Sequence, residues 1–197
     1  MKKIFIILAT AAVFAINAFA QTTWVLDNAH SKVKFSVSHL IISDVEGNFK
    51  VYSGKLQSSN QDFSGATVDF TVDVASISTD NEMRDKHLKS DDFFNAEKYP
   101  KMTFKSTSWK KIDDKNFVLE GDLTIRDITK RITFTVTGGG TIQDPWGNTK
   151  AGFKATSVIN RFDFGLKFNA LTETGSAVVG KEVSIILNLE FAKQKAS

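Results

Sequence analysis

Apolar and polar residues alternate with a period of two along much of the chain. Val33, Phe35 and Val37 share one face and Lys32, Lys34 and Ser36 the other, and Phe49 and Val51 follow the same rule. Val68, Phe70, Val72 and Val74 interleave with Thr67, Asp69, Thr71 and Asp73. The pattern returns at Met102-Phe104, Phe117-Leu119-Leu123, Ile132-Phe134-Val136 and Phe153-Ala155-Ile159, and ends with Val183, Ile185, Leu187, Leu189 and Phe191. Successive side chains of a strand point to opposite faces, so these runs predict antiparallel strands with one side in water and the other in a shared interior. Turn residues separate them: Ser64-Gly65, Asp113 to Asn116, Gly138-Gly139-Gly140 (read as a hairpin) and Trp146-Gly147-Asn148. Long alternating strands favour a closed sheet, which leaves no edge to protect. Roughly eight strands in a closed ring enclose enough room for side chains or one small ligand. The expected fold is an all-β, eight-stranded antiparallel β-barrel.

One stretch breaks the alternation. Thr79 and Glu82 have capping-box spacing, and Met83, Arg84, His87 and Leu88 follow at helical intervals. A short helical excursion is therefore expected near residues 80–94, with Ser90 to Phe94 as a second turn and Tyr99-Pro100 restarting extended chain. Such an excursion is well placed to cover one end of a barrel. Residues 166–180 form the other irregular region.

The N-terminus carries a different signal. Lys2-Lys3 precedes the apolar run Ile4 to Ile16, and Ala18-Phe19-Ala20 fits small-x-small cleavage, so residues 1–20 read as a secretory signal peptide. The apolar run is 13 residues long, short of the ~20 that a spanning helix needs. Residues 21–197 then form one exported, periplasmic domain with no permanent membrane span. The chain has no Cys, which excludes a disulfide framework, a thiolate nucleophile and Cys-based metal sites. Its net charge of +3 is too slight for a nucleic-acid-binding stripe.

Candidate chemistry is sparse. The three histidines, His30, His39 and His87, show no metal-ligand spacing. No G-x-S-x-G elbow or phosphate loop is present, and the carboxylate pairs Asp91-Asp92 and Asp113-Asp114 fall where N-capping and turns explain them. No cofactor or metal is expected. The positive signal is aromatic: of the 17 Phe in the chain, Phe35, Phe49, Phe70, Phe104, Phe117, Phe134, Phe153 and Phe191 fall on the inward face. A barrel lined by rings and aliphatic residues offers a slot for a chain-like apolar ligand. His39, Arg84 and Arg161 are candidates to meet its polar head at the mouth. Two other readings remain open: a periplasmic hydrolase or isomerase acting on an apolar substrate through His39, Arg84 and His87, and an interaction module whose interior is solid core.

The order of residues resembles the YceI-like family of exported lipid- or polyisoprenoid-binding proteins. The resemblance rests on Trp24 to Ser31 (WVLDNAHS), Phe35 to His39, Val45 to Phe49 and Ser76 to Thr79. It continues through Arg84 to Phe94 (RDKHLKSDDFF), Tyr99-Pro100, Phe104 to Ser106, Gly121 to Ile125 with Thr129-Lys130, Ile159 to Gly165, and Gly180 to Val183. It implies a lipocalin-like barrel holding a long isoprenoid or acyl chain for transport or storage, a periplasmic location and often a homodimer. The ligand-binding residues expected from the inward pattern and these motifs are Phe35, His39, Phe49, Phe70, Arg84, His87, Leu88, Phe93, Phe94, Phe104, Phe134, Phe153, Arg161 and Phe164. Two positions depart from the family pattern: Asp127 stands where Gly is usual and Arg131 where Pro is frequent. Asp tolerates positive φ better than most residues, so the turn at Asp127 is expected to survive.

Overall fold

The computed structural model of the protein describes residues 21–195; the proposed signal peptide lies outside them. The strands are β1 (Thr22–Leu26), β2 (Lys32–His39), β3 (Ser43–Phe49), β4 (Tyr52–Ser58), β5 (Thr67–Asp73) and β6 (Ile77–Ser78). After helix α1 (Glu82–Lys89) come β7 (Lys101–Lys111), β8 (Asn116–Ile125), β9 (Ile128–Gln143), β10 (Thr149–Asn160) and β11 (Val179–Lys193). All pairings between these strands are antiparallel. Eight strands form a closed ring in the order β1-β4-β5-β7-β8-β9-β10-β11, and β11 returns to β1.

β11 is 15 residues long, and this length shapes the barrel. One edge pairs with β10 along most of its course, while β2 and then β1 lie in succession along the other. β2, β3 and β6 thus continue the wall beyond the ring at one end. Hydrophobic alternation sets the register: Val33 lies opposite Leu187, Phe35 opposite Ile185 and Val37 opposite Val183, all facing inward. A one-residue slip would turn every one of them to water.

The far end is plugged by rings. Phe153 makes near-perpendicular contacts with Phe63 (centroids 5.2 Å) and Trp109 (5.4 Å), and Trp24 and Phe117 pack against the same group. Edge-to-face arrays of this kind satisfy the quadrupoles of the rings as well as burying them.

Four local expectations need correction. Asn81, not Thr79, caps α1: its side chain accepts from Arg84 N at 2.9 Å. Asp80 takes a positive φ of 58° and turns the chain between the two residues, leaving the Thr79 hydroxyl to donate to Asp85 at 2.6 Å. Gly138-Gly139-Gly140 is not a hairpin but lies within β9, where the β9–β10 register shifts. A β-carbon on Gly138 would stand 2.2 Å from the Gly152 carbonyl, so the bulge needs glycine there. Val51 is exposed between β3 and β4 rather than facing inward. Thr67 begins a strand that stops at Asp73, and Val74–Ser76 turn as a short 3-10 helix.

The Asp127 turn survives as expected. Arg126 and Asp127 form the two-residue loop between paired Ile125 and Ile128, with φ of 52° and 63°, the geometry of a tight hairpin. Arg131 sits opposite Asp122 across β8 and β9 and donates to it through Nε at 2.7 Å and Nη2 at 3.2 Å.

Candidate functional site

The barrel interior holds an apolar cavity of about 350 Å³. Its walls come from both sides of the closed ring and from the β2–β3 extension, because every inward position of the long strands contributes. Exposure marks its direction. At the plugged end Leu56, Val136, Phe153 and Phe191 are buried, whereas Val183, Ile185, Leu187 and Leu189 of β11 are only half-buried although they point inward. Those aliphatic side chains border empty space. The mouth lies at the other end, where Ser38 and His39 of β2, Val45 of β3, Arg84 and His87 of α1, and Val178-Val179 line the cavity.

The structure brings together nearly all of the residues expected at the site. Phe35, His39, Phe49, Phe70, Arg84, His87, Leu88, Phe93, Phe94, Phe104, Phe134, Phe153 and Arg161 all line this cavity. Phe164 does not. It belongs to the 3-10 turn Arg161–Phe164 and is buried at 2% exposure in the hydrophobic core. Phe117, also on the inward face, is absorbed into the aromatic plug.

Near the mouth the rings form two groups. Phe49 lies between Phe35 and Phe94, with centroids 5.9 Å from each. Phe93 stacks on Phe168 at 5.2 Å, and both meet the His87 imidazole edge-on at 5.1 Å. His87 Nε2 lies 2.9 Å from Asp92 Oδ2, so a carboxylate holds one ring nitrogen while the half-exposed ring rests against Phe93 and Phe168.

The arginines are tied to the scaffold. Arg84 donates from Nε to the Thr79 hydroxyl and from Nη2 to the Thr79 carbonyl, each at 2.8 Å. Arg161, expected to meet a ligand head group, is 2% exposed and donates to the carbonyls of Gly180 (2.8 Å), Phe168 (2.6 Å), Leu166 (3.4 Å) and Val179 (3.1 Å). Burial pushes its pKa below the ordinary arginine value. Four carbonyl dipoles take the place of a carboxylate partner and fix the irregular segment 166–180 to the start of β11.

His30 lies apart from the cavity. With Asp27 and Glu190 it forms a cluster of metal-ligand type, but Lys150 is seated there, hydrogen-bonded to Asp27 and 3.2 Å from Glu190. One ammonium group already pairs with both carboxylates. It holds Asp27 at a pKa of about 2, chiefly through the Lys150 hydrogen bond.

Sequence reasoning missed Phe168, Val178 and Val179, which lie in or beside the irregular segment and carry no period. It also missed Leu56, an isolated apolar residue in the polar strand YSGKLQS, and Trp109. Periodicity across β7 would have placed Trp109 outside, but the strand slips between Ser106 and Ser108, and the bulge turns the indole inward.

Fold and cavity define a class: a closed β-barrel with a hydrophobic interior pocket. The YceI-like domain family matches residues 24–191, and the chain belongs to that family. It is 37% identical over 172 residues to a UPF0312 protein of Staphylococcus aureus (strain N315), covering 87% of this chain and 98% of that one. Among solved structures, BcnA of Burkholderia cenocepacia superposes with a TM-score of 0.73 at 25% identity, covering 84% of this chain and 98% of that one. A YCEI protein of Campylobacter jejuni gives 0.69 at 36%, covering 81% and 90%. A polyisoprenoid binding domain from Saccharophagus degradans, implicated in plant cell wall breakdown, shares the fold with a TM-score of 0.62 at 16% identity, covering 87% and 98%.

Proposed function

We propose that this protein binds a long apolar chain, a polyisoprenoid or similar acyl lipid, inside its barrel, and that it is an exported carrier or reservoir in the periplasm. The observation that carries this reading is the cavity itself. Its volume of about 350 Å³ falls within the ~300–1,000 Å³ of small-molecule sites, and rings and aliphatic side chains dominate its walls. Ser38, His39, Arg84 and His87 line the mouth, where an amphiphile with a buried tail would place its head. The polyisoprenoid binding domain from Saccharophagus degradans shows that this fold is used by a protein of such a name. Export is supported by the leader pattern of residues 1–20.

Energetics favour exchange over permanent storage. Burial of an apolar chain gains roughly 0.8 kcal/mol per methylene, and a bilayer offers the same chain about as much. A barrel of this kind nearly balances a membrane, which suits a protein that both takes up and releases its load. Binding rather than catalysis is the reading we propose because apolar side chains dominate the cavity walls.

The test is organic extraction of the purified protein followed by mass spectrometry, together with titration of a fluorescent isoprenoid or acyl probe. Co-purified lipid or saturable uptake of the probe is expected. Absence of both rejects the reading, and turnover of an ester or phosphate substrate panel that vanishes in His39→Ala would replace it with the enzymatic one.

A further inference from the structure

The turn between β2 and β3 is built against its own chemistry. Leu40, Ile41 and Ile42 connect the paired residues His39 and Ser43. Leu40 and Ile41 both lie in the left-handed region, at φ of 53° and 66°. Hairpin positions of this kind favour Asn and Gly, and a β-branched residue is strained there. The side chains of the turn face water to different degrees: Leu40 is 38% exposed, Ile41 72% and Ile42, outside the left-handed region, 85%. Among the described residues, neither Ile41 nor Ile42 belongs to the buried core or to the hydrophobic residues packed against it.

Their position supplies a reason. His39, immediately before the turn, lines the cavity mouth, and Leu40 N donates to the Val178 carbonyl at 3.0 Å, joining the turn to the opposite rim. On that rim Leu171 is 60% exposed, and Met83 on α1 is 84% exposed. The turn adjoins the cavity through His39 on one side and Val178 on the other, both of which line it. The turn has no charged residue between His39 and Asp44, so whatever it touches is met through hydrocarbon contact and not through charge.

We infer that the β2–β3 tip inserts into the surface of a lipid bilayer and sets the cavity mouth against it. This rests on the proposed lipid cargo for its purpose, since an apolar chain would then pass between bilayer and barrel without crossing water. The docking itself needs no cargo. A few aliphatic side chains suffice for reversible interfacial binding. They are far short of the ~800 Å² that each partner of a stable protein dimer buries, which argues against a second copy as the occupant.

The test is flotation of the purified full chain with phosphatidylcholine–phosphatidylethanolamine vesicles at low and high salt. It is compared with a variant carrying Leu40→Asn, Ile41→Gly and Ile42→Asn. The wild type is expected to float at both salt concentrations and the variant to lose about tenfold or more in partitioning. Asn and Gly suit the left-handed positions, so the variant should melt at or above the wild-type temperature and loss of binding cannot be put down to unfolding. A wild type that fails to float, or a variant that floats equally well, overturns the inference. So does a wild-type dimer, seen by sedimentation, that the variant converts to monomer. Probe uptake without vesicles reads the cavity separately: flotation without uptake leaves docking standing and rejects the cargo.

Discussion

The ring of Phe104 lies flat against the backbone of Gly121, so close that a β-carbon there would stand 2.3 Å from Cζ and 2.6 Å from the Lys105 carbonyl. Gly47 under Phe35 and Gly54 under Phe70 repeat the arrangement, at 2.3 Å and 2.6 Å. Each glycine faces inward on a neighbouring strand and gives a ring room to fold down along the wall. Without these recesses the rings would stand into the centre of the barrel.

Gly121→Ala is therefore expected to lose about 1–3 kcal/mol of stability, since the Lys105 carbonyl cannot yield as a flexible side chain would. Gly47→Ala meets the Phe35 ring and the Thr79 methyl first, both side chains, and should cost less stability. It should instead drive Phe35 into the cavity near the mouth. Urea denaturation and probe titration of the two variants separate the effects: the first should fail mainly in stability and the second mainly in uptake.

These recesses help explain how much of the molecule was legible in its sequence. The closed β-barrel and most of the wall follow from period-two alternation, because a residue such as Phe134 or Val136 has to face inward if its strand is straight. Where strands slip, alternation misleads: Trp109 reaches the cavity only through the irregularity after Ser106. Phe168 lies in a segment with no period, and its position is set by the Arg161 guanidinium holding its carbonyl. Phe164 looked like a wall residue because its motif surrounds it with others that are. It sits instead in a 3-10 turn, buried in the core and outside the cavity lining.

Arg161 organises that segment, and its removal should be costly. Arg161→Met leaves the part-buried carbonyls of Gly180, Phe168 and Val179 without their donor, for an expected loss of about 2–4 kcal/mol. Arg161→Lys should recover little, because one ammonium cannot span acceptors arranged for a planar fork. Hydrogen exchange checks the location: protection should fall first in residues 166–180 and at the start of β11.

Asp27 gives the fold a defined acid response. Its pKa is lowered from 3.8 to about 2, first by the hydrogen bond from Lys150 and then by that from His30, against the cost of burial. A depressed carboxylate contributes stability that is fully present above its unfolded pKa and is lost as pH falls through the folded value. Asp27→Asn should thus be less stable than the wild type at neutral pH, by about 1–2 kcal/mol after allowance for its partial solvent contact. The gap should narrow as pH drops from about 4 towards 2. Paired melting curves across this range check it, and a gap independent of pH would remove the ion pair as its cause.

The cavity can be filled without disturbing the shell. Leu187 lies mid-strand on β11 opposite Val33 and Ala155, points inward and is only half-buried, so the space before it is free. Leu187→Trp adds an indole where a ligand tail would run, and Ile185→Trp does so nearer the mouth. Enlarging a residue in a packed core strains it, but growth into a void adds contacts instead. Both variants should keep the wild-type melting temperature or exceed it while losing tenfold or more in uptake of a long-chain probe. Leu187→Trp, set deeper, should discriminate by length: short acyl probes that stop before it bind nearly as well as before, and long isoprenoid probes do not. Equal loss for short and long probes would mean that the tail does not enter tail-first along β11.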